Sequence, residues 1–346
     1  MKFGIIGCGS IGRRHIRTLL ELGHEVLAYN RGDARRAAVE SDFGIRVFER
    51  TEAVFAERID AAVICSPNNL HVNHALQAAR KGAHLFIEKP LSYSLEDVET
   101  LREEVSKSRL ISHVGSNMRF HFGPEFIKAE LARKTLGKIL WASVWAGMYL
   151  PDWHPDENYR QMYSAKKNLG GGAVLDFIHE LDLVLWFFGR PEFLAAMTGR
   201  SGWLEIETED MADALLRYSG DFQINLHIDY LQRPAQRGIR VVGTRGWVVW
   251  DLAREIVEVY QHETGQKAVF PYPEGYDNQS MYTNQMKYFI NCIKSGKNSA
   301  SDLDAGKQAL IMALKIKESS VTGRFVNWQA QVKAPPMIKQ ANMTIF

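Results

Sequence analysis

Short apolar segments alternate with amphipathic stretches through the first third of the chain. The apolar segments are rich in Val, Ile, Leu, Phe and Ala, which is typical of strands buried on both faces. We predict these strands at residues 2–6, 25–29, 61–65 and 84–87. Apolar side chains at helical spacing predict helices at residues 11–22, 34–43 and 71–81. Strict alternation of strand and helix indicates a parallel sheet with right-handed crossovers.

The pattern changes from about residue 123, where longer β-rich segments are separated by turns. This is typical of an antiparallel sheet. The segments cover residues 139–148, 213–218, 223–230 and 239–250. Helices are predicted at residues 174–188, 282–294 and 303–318. We therefore predict an α/β domain at 1–120, an α+β domain with an open, mainly antiparallel sheet at 121–328, and a tail at 329–346.

Composition narrows the range of partners and compartments. With 346 residues, two domains are the default, and 42 basic against 40 acidic residues give no reason to expect nucleic acid or a membrane. The cysteines Cys8, Cys65 and Cys292 are too few and too scattered for disulfides or a zinc site. No signal segment precedes the first strand, and no apolar run approaches the ~20 residues of a membrane helix. These features predict a cytoplasmic protein.

A glycine-rich turn joins the first predicted strand to the first predicted helix. It reads G-x-G-x-x-G, with Gly7 allowing a tight turn, Gly9 admitting a pyrophosphate and Gly12 packing closely on the strand. The backbone N–H groups at the start of the helix, including those of Ser10 and Ile11, favour phosphate binding. The first domain is therefore predicted to be a Rossmann domain that binds a nicotinamide dinucleotide.

The residues after the second strand bear on which dinucleotide binds. An acidic residue there would bind the ribose hydroxyl of NAD, but the chain has Asn30 and Arg31. Both side chains can bind the 2′-phosphate of NADP, which a carboxylate would repel. Asp33 comes two or three residues too late for the usual acidic position, although a loop could return it. We predict that NADP is favoured over NAD.

Three further motifs resemble those of the Gfo/Idh/MocA oxidoreductase family. They are Cys65-Ser66-Pro67 with the following His71, Glu88-Lys89-Pro90, and the glycine-rich segment 170–182. Members of the family are NAD(P)-dependent and act mostly on sugars, cyclic polyols and their derivatives. The resemblance implies a dehydrogenase or reductase acting on CH–OH groups, and a homo-oligomer, dimer or tetramer, formed through the second domain's sheet. It also implies cofactor contacts from Ser66, Pro67, His71, Glu88 and Lys89.

The same resemblance assigns the reacting groups. Lys89 ends a predicted parallel strand, where Rossmann ligands bind, and is implied to contact the nicotinamide ribose and the reacting hydroxyl. His179 is implied to exchange the hydroxyl proton, while Asp176 orients it or binds a neighbouring hydroxyl. The family spacing of these two is four residues and here it is three, which keeps both on one helix face. Asp182 remains an alternative orienting carboxylate.

Residues 149–167, just before the glycine-rich segment, are rich in aromatic, acidic and basic side chains. The stretch suits recognition of a sugar, or else packing on the domain or on a neighbouring subunit. The predicted substrate contacts are Trp153, His154, Tyr159, Arg160 and Tyr163, with Asn117 and Arg119 at the domain junction. Arg160, Lys166 and Lys167 would suit an anionic substituent such as a uronate or a nucleotide diphosphate. The stretch resembles that of members associated with bacterial surface-sugar biosynthesis.

No metal site is predicted, because His179-Glu180 would need a second histidine at position 183, which is Leu. The leading hypothesis is hydride transfer between NAD(P) and a secondary alcohol or ketone of a sugar-type substrate. One alternative is a glycoside hydrolase that uses transient oxidation by a retained nicotinamide. Another is a regulator that senses the dinucleotide without chemistry. A regulator would not need Lys89 and His179, so their presence favours an enzyme.

Overall fold

Six parallel strands build a sheet from the first third of the chain. The computed structural model describes residues 1–153 and 155–332. The strands are β1 (Lys2–Ile6), β2 (Glu25–Tyr29), β3 (Val47–Phe48), β4 (Ala61–Ile64), β5 (His84–Ile87) and β6 (Ser112–Val114). Their order is β3-β2-β1-β4-β5-β6, and every neighbouring pair is parallel. The order reverses between β1 and β4, where doubly wound sheets bind dinucleotides.

Helices return the chain between these strands, because parallel neighbours need crossover connections. They are α1 (Ser10–Glu21), α2 (Asp33–Phe43), α3 (Thr51–Ala56), α4 (His71–Ala79) and α5 (Val98–Lys107). Among the residues that the structure describes, no helix is long and apolar enough to cross a membrane.

The second sheet has nine strands in the order β14-β13-β12-β11-β7-β10-β9-β8-β15. They are β7 (Ile139–Gly147), β8 (Phe193–Gly199), β9 (Met211–Arg217), β10 (Gln223–Asp229), β11 (Gln236–Gly243), β12 (Gly246–Asp251), β13 (Ile256–Gln261), β14 (Gln266–Pro271) and β15 (Val326–Asn327). Only β7 and β10 pair in parallel. The predicted fold class, a Rossmann domain followed by a mainly antiparallel α+β domain, is confirmed.

One face of the nine-stranded sheet packs against helices and the other is open. The remaining helices are α6 (Phe122–Arg133), α7 (Ala173–Asp176), α8 (Ile178–Phe188), α9 (Asn278–Ser295) and α10 (Leu303–Thr322). Side chains of β9 alternate between buried and exposed, as expected for a sheet covered on one side. The open face carries the exposed apolar residues Trp141, Met197 and Leu215. The predicted homo-oligomer would bury this face, and it stays a prediction.

Late segments of the chain return to the first sheet. The apolar residues Met286, Phe289 and Ile290 of α9 lie in the same buried cluster as the side chains of β1. The edge strand β6 is covered by residues 299–303, where the Val114 N–H donates to the Ser301 carbonyl at 2.6 Å. The predicted domain boundary at residue 120 is therefore crossed by later segments, whose apolar faces complete the core of the first domain.

The helix predicted over residues 174–188 is two helices, α7 and α8. Phe177 separates them with φ −87° and ψ 30°, outside helical geometry. Asp176 therefore ends one helix, and His179 is the second residue of the next. The prediction that both project from one helix face is wrong, because the two residues do not share a helix axis.

A buried ion pair joins the two halves of the molecule. Arg119 lies on the short 3₁₀ segment Asn117–Phe120, and Asp182 lies on α8. Arg119 donates from Nε and Nη2 to the two carboxylate oxygens of Asp182 at 2.7 and 2.6 Å, and from Nη1 to the Ala300 carbonyl at 2.7 Å. All three nitrogens of the guanidinium are therefore used within the chain.

We predict that Arg119→Met destabilises the protein by about 3 kcal/mol or more, because it leaves the Asp182 carboxylate buried without its partner. The free energy of unfolding is measured by urea denaturation followed by tryptophan fluorescence. Arg245→Met is the control, since Arg245 and Glu263 form an exposed pair at 3.7 Å, worth less than about 1 kcal/mol. Equal losses in the two variants would contradict a structural role for the buried pair.

Candidate active site

In the glycine-rich turn after β1, Gly7 and Gly12 pack closely against neighbouring backbone, and Gly9 borders open space. A Cβ at Gly12 would lie 2.0 Å from the Gly7 carbonyl oxygen, and one at Gly7 would lie 2.7 Å from that of Cys65. Gly7 also has φ +106°, which other residues rarely adopt. A Cβ at Gly9 would meet nothing within 4 Å. Gly7 and Gly12 therefore shape the turn, while Gly9 leaves free space beside it.

This free space lies at the start of α1. The helix has 12 residues, its N-cap is Gly9, and no side chain caps it. The first N–H groups of a helix, here those of Ser10 and Ile11, have no intrahelical partner and favour anions. The turn and the helix N-terminus therefore fit the pyrophosphate of a dinucleotide, and they would hold it as the sequence predicts.

Asn30 and Arg31 after β2, which are predicted to bind the 2′-phosphate of NADP, differ in their surroundings. Asn30 accepts from the Cys8 N–H at 3.3 Å and donates to the Gly32 carbonyl at 3.2 Å, so its amide braces the glycine-rich turn. Arg31 is exposed. Asp33 carries the nearest carboxylate, and its negative charge is offset by Arg36, whose Nη2 lies 2.7 Å from its Oδ1. Of Asn30 and Arg31, Arg31 is the one whose side chain is free to meet a ligand.

His71 connects the loop after β4 to the turn after β5. Its ring nitrogens lie 2.7 Å from the Ser66 carbonyl oxygen and 2.8 Å from that of Pro90. Burial lowers the pKa of His71, and the two carbonyl contacts oppose that shift. With its ring enclosed in this way, His71 acts on the turn that carries Lys89. The predicted direct contact of His71, Ser66 and Pro67 with the cofactor stays a prediction.

Glu88 fixes the same turn from the other side. One carboxylate oxygen lies 2.7 Å from Nε2 of His15 on α1, and the other accepts from the Lys89 N–H at 3.2 Å. A Cβ at Gly115 would come within 2.9 Å of the carboxylate, so glycine is needed there. Glu88 therefore orients the backbone of the Lys89 turn.

Lys89 reaches across to the second half of the molecule. Its Nζ donates to the Asp176 carbonyl at 3.0 Å. The glycine-rich segment approaches the first half nearby, where Asn68 donates to the Gly170 carbonyl at 3.3 Å. The lysine and the end of α7 are thus brought together at the carboxyl ends of β4 and β5.

His179 is buried on the first turn of α8. Burial holds its pKa well below the usual range, and the positive charges of Lys89 and Arg237 lower it further. The imidazole is therefore neutral at neutral pH and has a nitrogen lone pair that can accept a proton.

Two hydroxyl groups donate hydrogen bonds to the carboxylate of Asp176. Ser164 and Tyr230 each donate to its Oδ2 at 2.5 Å. Its Oδ1 is buried and has no hydrogen-bond partner among the described residues. Tyr163 lies beside it, and the pKa of this phenol is raised by burial and then by the charge of Asp176. Both oxygens of the alternative carboxylate, Asp182, are occupied by Arg119.

The predicted substrate contacts divide into two groups. Trp153 packs edge-on against Phe177 and Tyr230, with ring centroids 5.7 and 5.4 Å apart, and so lies close to Asp176. By contrast, Arg160 stacks on Tyr159 and binds Glu205 at the surface, at 2.7 and 3.0 Å.

The other predicted contacts have mixed outcomes. Asn117 is buried with an unpartnered Oδ1. Arg119, by contrast, has its donors committed to Asp182 and Ala300, so the structure does not support it as a substrate contact. His154 and residues 333–346 lie outside the described residues. Across 1–153 and 155–332, no group of three or more His, Cys, Asp or Glu side chains is arranged to hold a metal.

Comparison with known proteins assigns the chain to a family. The sequence model of the Gfo/Idh/MocA oxidoreductase family, NAD-binding Rossmann fold, matches residues 1–116, and that of the family's C-terminal domain matches residues 125–249. The chain belongs to the Gfo/Idh/MocA family. The predicted resemblance is confirmed, and with it the prediction of an NAD(P)-dependent dehydrogenase or reductase.

Individual relatives are more distant. Myo-inositol 2-dehydrogenase from Thermotoga maritima is 28% identical over 92% of this chain and 96% of that protein. UDP-N-acetylglucosamine 3-dehydrogenase from Acidithiobacillus ferrooxidans is 24% identical over the same shares. A solved levoglucosan dehydrogenase in complex with NADH superimposes with a TM-score of 0.85 at 18% identity, covering 94% of this chain and 98% of that one. The fold is therefore shared along nearly the whole chain.

Four residues of this family member's site were not predicted from the sequence. Ser164 and Tyr230 hold Asp176, and Glu180 pairs with Arg237 beside His179. For Arg237 a signal existed, since it shares one strand face with the buried residues Ile239 and Val241. A charged residue in the buried phase of a strand is unusual and needs a partner.

We predict that Gly9→Ala lowers NADH affinity about tenfold or more without lowering the melting temperature, since its Cβ enters free space needed by the pyrophosphate. Gly12→Ala should lower both, because its Cβ would overlap the Gly7 carbonyl. NADH binding is measured by fluorescence titration and melting by differential scanning fluorimetry. Wild-type NADH affinity in Gly9→Ala would show that the dinucleotide does not bind at this turn.

Proposed function

We propose that the protein transfers a hydride between a bound nicotinamide and a secondary alcohol or ketone carbon of a sugar, sugar derivative or cyclic polyol. The observation that carries this proposal is the meeting of Lys89, a neutral His179 and Asp176 where the two halves join. The nicotinamide, when bound, supplies the hydride acceptor or donor. The surrounding side chains supply the proton transfer and the binding of oxygen atoms.

Each of the three groups has a distinct task. The Lys89 ammonium donates to the reacting oxygen and stabilises the alkoxide that forms when its proton leaves. The neutral imidazole of His179 takes this proton on its free ring nitrogen during oxidation and returns it during reduction. Asp176, gripped through Oδ2, offers Oδ1 as an acceptor for a neighbouring hydroxyl. Asp176 is thus proposed to bind substrate rather than to orient His179.

Unpartnered acceptors support a substrate rich in hydroxyl groups. Asp176 Oδ1 and Asn117 Oδ1 are buried without donors among the described residues, and buried acceptors normally have a partner. Hydroxyl groups of a sugar or polyol are donors of the right kind. The relatives point the same way, since they are named for myo-inositol, UDP-N-acetylglucosamine and levoglucosan. A role in surface-polysaccharide metabolism and a cytoplasmic location stay predictions.

The cofactor proposed is NADP in preference to NAD. No acidic residue follows β2 directly, Asp33 is paired with Arg36, and Arg31 is exposed at the position where a 2′-phosphate would come. A homo-oligomer is proposed through the open face of the second sheet, whose exposed apolar residues favour burial. Light scattering after gel filtration measures its mass.

We predict that Lys89→Ala and His179→Ala each lower turnover about 100-fold or more while leaving dinucleotide affinity largely intact, the usual scale for acid–base groups. Turnover is measured as NAD(P)H absorbance change with a panel of sugars and polyols. The exposed residues Lys81 and His262 give matched controls as Lys81→Ala and His262→Ala. Wild-type turnover in either site variant would refute the assignment. Release of free sugar without net change in NAD(P)H would instead indicate a hydrolase.

We predict that the protein binds NADPH more tightly than NADH. Arg31→Ala should weaken NADPH binding about tenfold, the loss expected for one charge-assisted hydrogen bond, and leave NADH binding unchanged. Fluorescence titration measures both affinities, and the exposed Arg324 gives the control variant Arg324→Ala. A wild type that prefers NADH would show that the residues after β2 do not select the phosphate.

A further inference from the structure

Arg237 places a positive charge on an otherwise apolar strand face. It is the second residue of β11, and the next residues on its face, Ile239 and Val241, are buried in the core. This face packs toward the helices of the second half. Arg237 is only partly exposed, with 22% of its side chain accessible. A guanidinium that is largely removed from water needs an opposite charge or hydrogen-bond acceptors close to it.

Glu180 supplies the opposite charge. It follows His179 on α8 and is 1% exposed, and its Oε1 lies 2.8 Å from the Nε of Arg237. Burial raises the pKa of Glu180, and the charge of Arg237 opposes that shift. The ion pair therefore sets where the guanidinium lies, while neither carboxylate oxygen of Glu180 has a hydrogen bond among the described residues.

The other end of the guanidinium retains donors. Nη1 is 3.7 Å from the Met118 sulfur, a weak acceptor, and in the described part of the chain neither Nη nitrogen has another hydrogen-bond partner. The central carbon of the guanidinium lies 5.9 Å from the centroid of the Phe177 ring, and Phe177 directly follows Asp176, so the free donors lie close to the reacting region. A partly exposed Arg with unused donors is suited to binding an oxygen of a ligand.

We propose that Arg237, held by Glu180, is a substrate-binding residue whose Nη groups donate to an acceptor oxygen of the substrate close to the reacting carbon. This inference rests on the proposed function, because it assigns a ligand to the same site. The acceptor is a hydroxyl or a carboxylate oxygen, which share the hydrogen-bonding chemistry. Glu180 is a positioning residue in this arrangement, since it acts through Arg237.

The charge of Arg237 also affects the pKa of His179, the proposed base. The charged groups that act on His179 are Lys89 from the turn after β5 and Arg237 from β11, and the carboxyl groups nearest to it along the chain are those of Asp176 and Glu180. The two cations both oppose protonation of the imidazole. Removing Arg237 should therefore raise the pKa of His179.

The first test needs no turnover. Histidine ring resonances are followed by ¹H–¹³C NMR against pH, and the His179 signal is identified by its loss in His179→Gln. We expect its midpoint to rise in Arg237→Gln, and to stay near that of the wild type in Arg237→Lys. Arg240→Gln removes an exposed charge from the opposite face of β11 and should change nothing. An unchanged midpoint in Arg237→Gln would refute the placement of its charge.

The second test measures substrate binding. In assays with myo-inositol, D-glucose and D-glucuronate, Arg237→Gln should raise the KM of each accepted substrate about tenfold to a hundredfold with a smaller effect on kcat. Glu180→Gln should raise KM less than Arg237→Gln does. A larger effect on glucuronate than on glucose would assign a carboxylate, and equal effects a hydroxyl.

Two failures are distinguishable. An unchanged KM in Arg237→Gln, together with normal wild-type turnover, would overturn the role of Arg237 and leave the proposed function intact. Absence of wild-type turnover with every sugar and polyol would overturn the proposed function, and with it the substrate role of Arg237.

Discussion

The ion pair between Arg119 and Asp182 is the contact on which the geometry of the site depends. Lys89 belongs to a turn of the first sheet and His179 to a helix of the second half, so their separation is set by how the two halves dock. Asp182 lies on α8, three residues beyond His179. The fork of a guanidinium fixes both the distance and the angle of the carboxylate that it binds. The pair therefore positions α8, and His179 with it, against the first half.

Within the first half, α1 links the two ends of the dinucleotide site. Its N-terminus follows the glycine-rich turn, where phosphates are expected to bind, and His15 within it contacts Glu88 at the base of the Lys89 turn. His71 ties the same turn to the loop after β4. A shift of α1 would therefore move the phosphate site and Lys89 together. Lys89 is held through its backbone N–H, and its ammonium group extends to the second half.

Features with a local cause were predictable from the sequence, and features that depend on distant partners were not. The glycine-rich turn and the alternation of strand and helix follow from neighbouring residues. The motif indicates Asp176 but leaves two roles open for it, because the free oxygen of its carboxylate depends on Tyr230, 54 residues away. The sequence predicts Arg119 as a substrate contact because it cannot reveal the partner of this side chain, Asp182, 63 residues away. The sequence does not indicate the break at Phe177, because apolar residues on both sides of it continue a helical pattern.

Basic side chains of the protein differ in whether their charge is offset by a neighbouring carboxylate or acts on His179. Arg160 and Lys166 of the predicted recognition stretch pair at the surface with Glu205 and Glu207, so their charges are locally offset. The cations that act on His179 are instead Lys89 and Arg237. These charges weaken the imidazole as a base, since they destabilise the imidazolium. In the proposed reaction the same charges would also stabilise an alkoxide, which would lower the pKa of the hydroxyl that loses its proton. Because the same cations would lower both the pKa of the imidazole and that of the hydroxyl, proton transfer between the two would depend on Lys89 donating directly to the reacting oxygen, which favours the alkoxide more strongly.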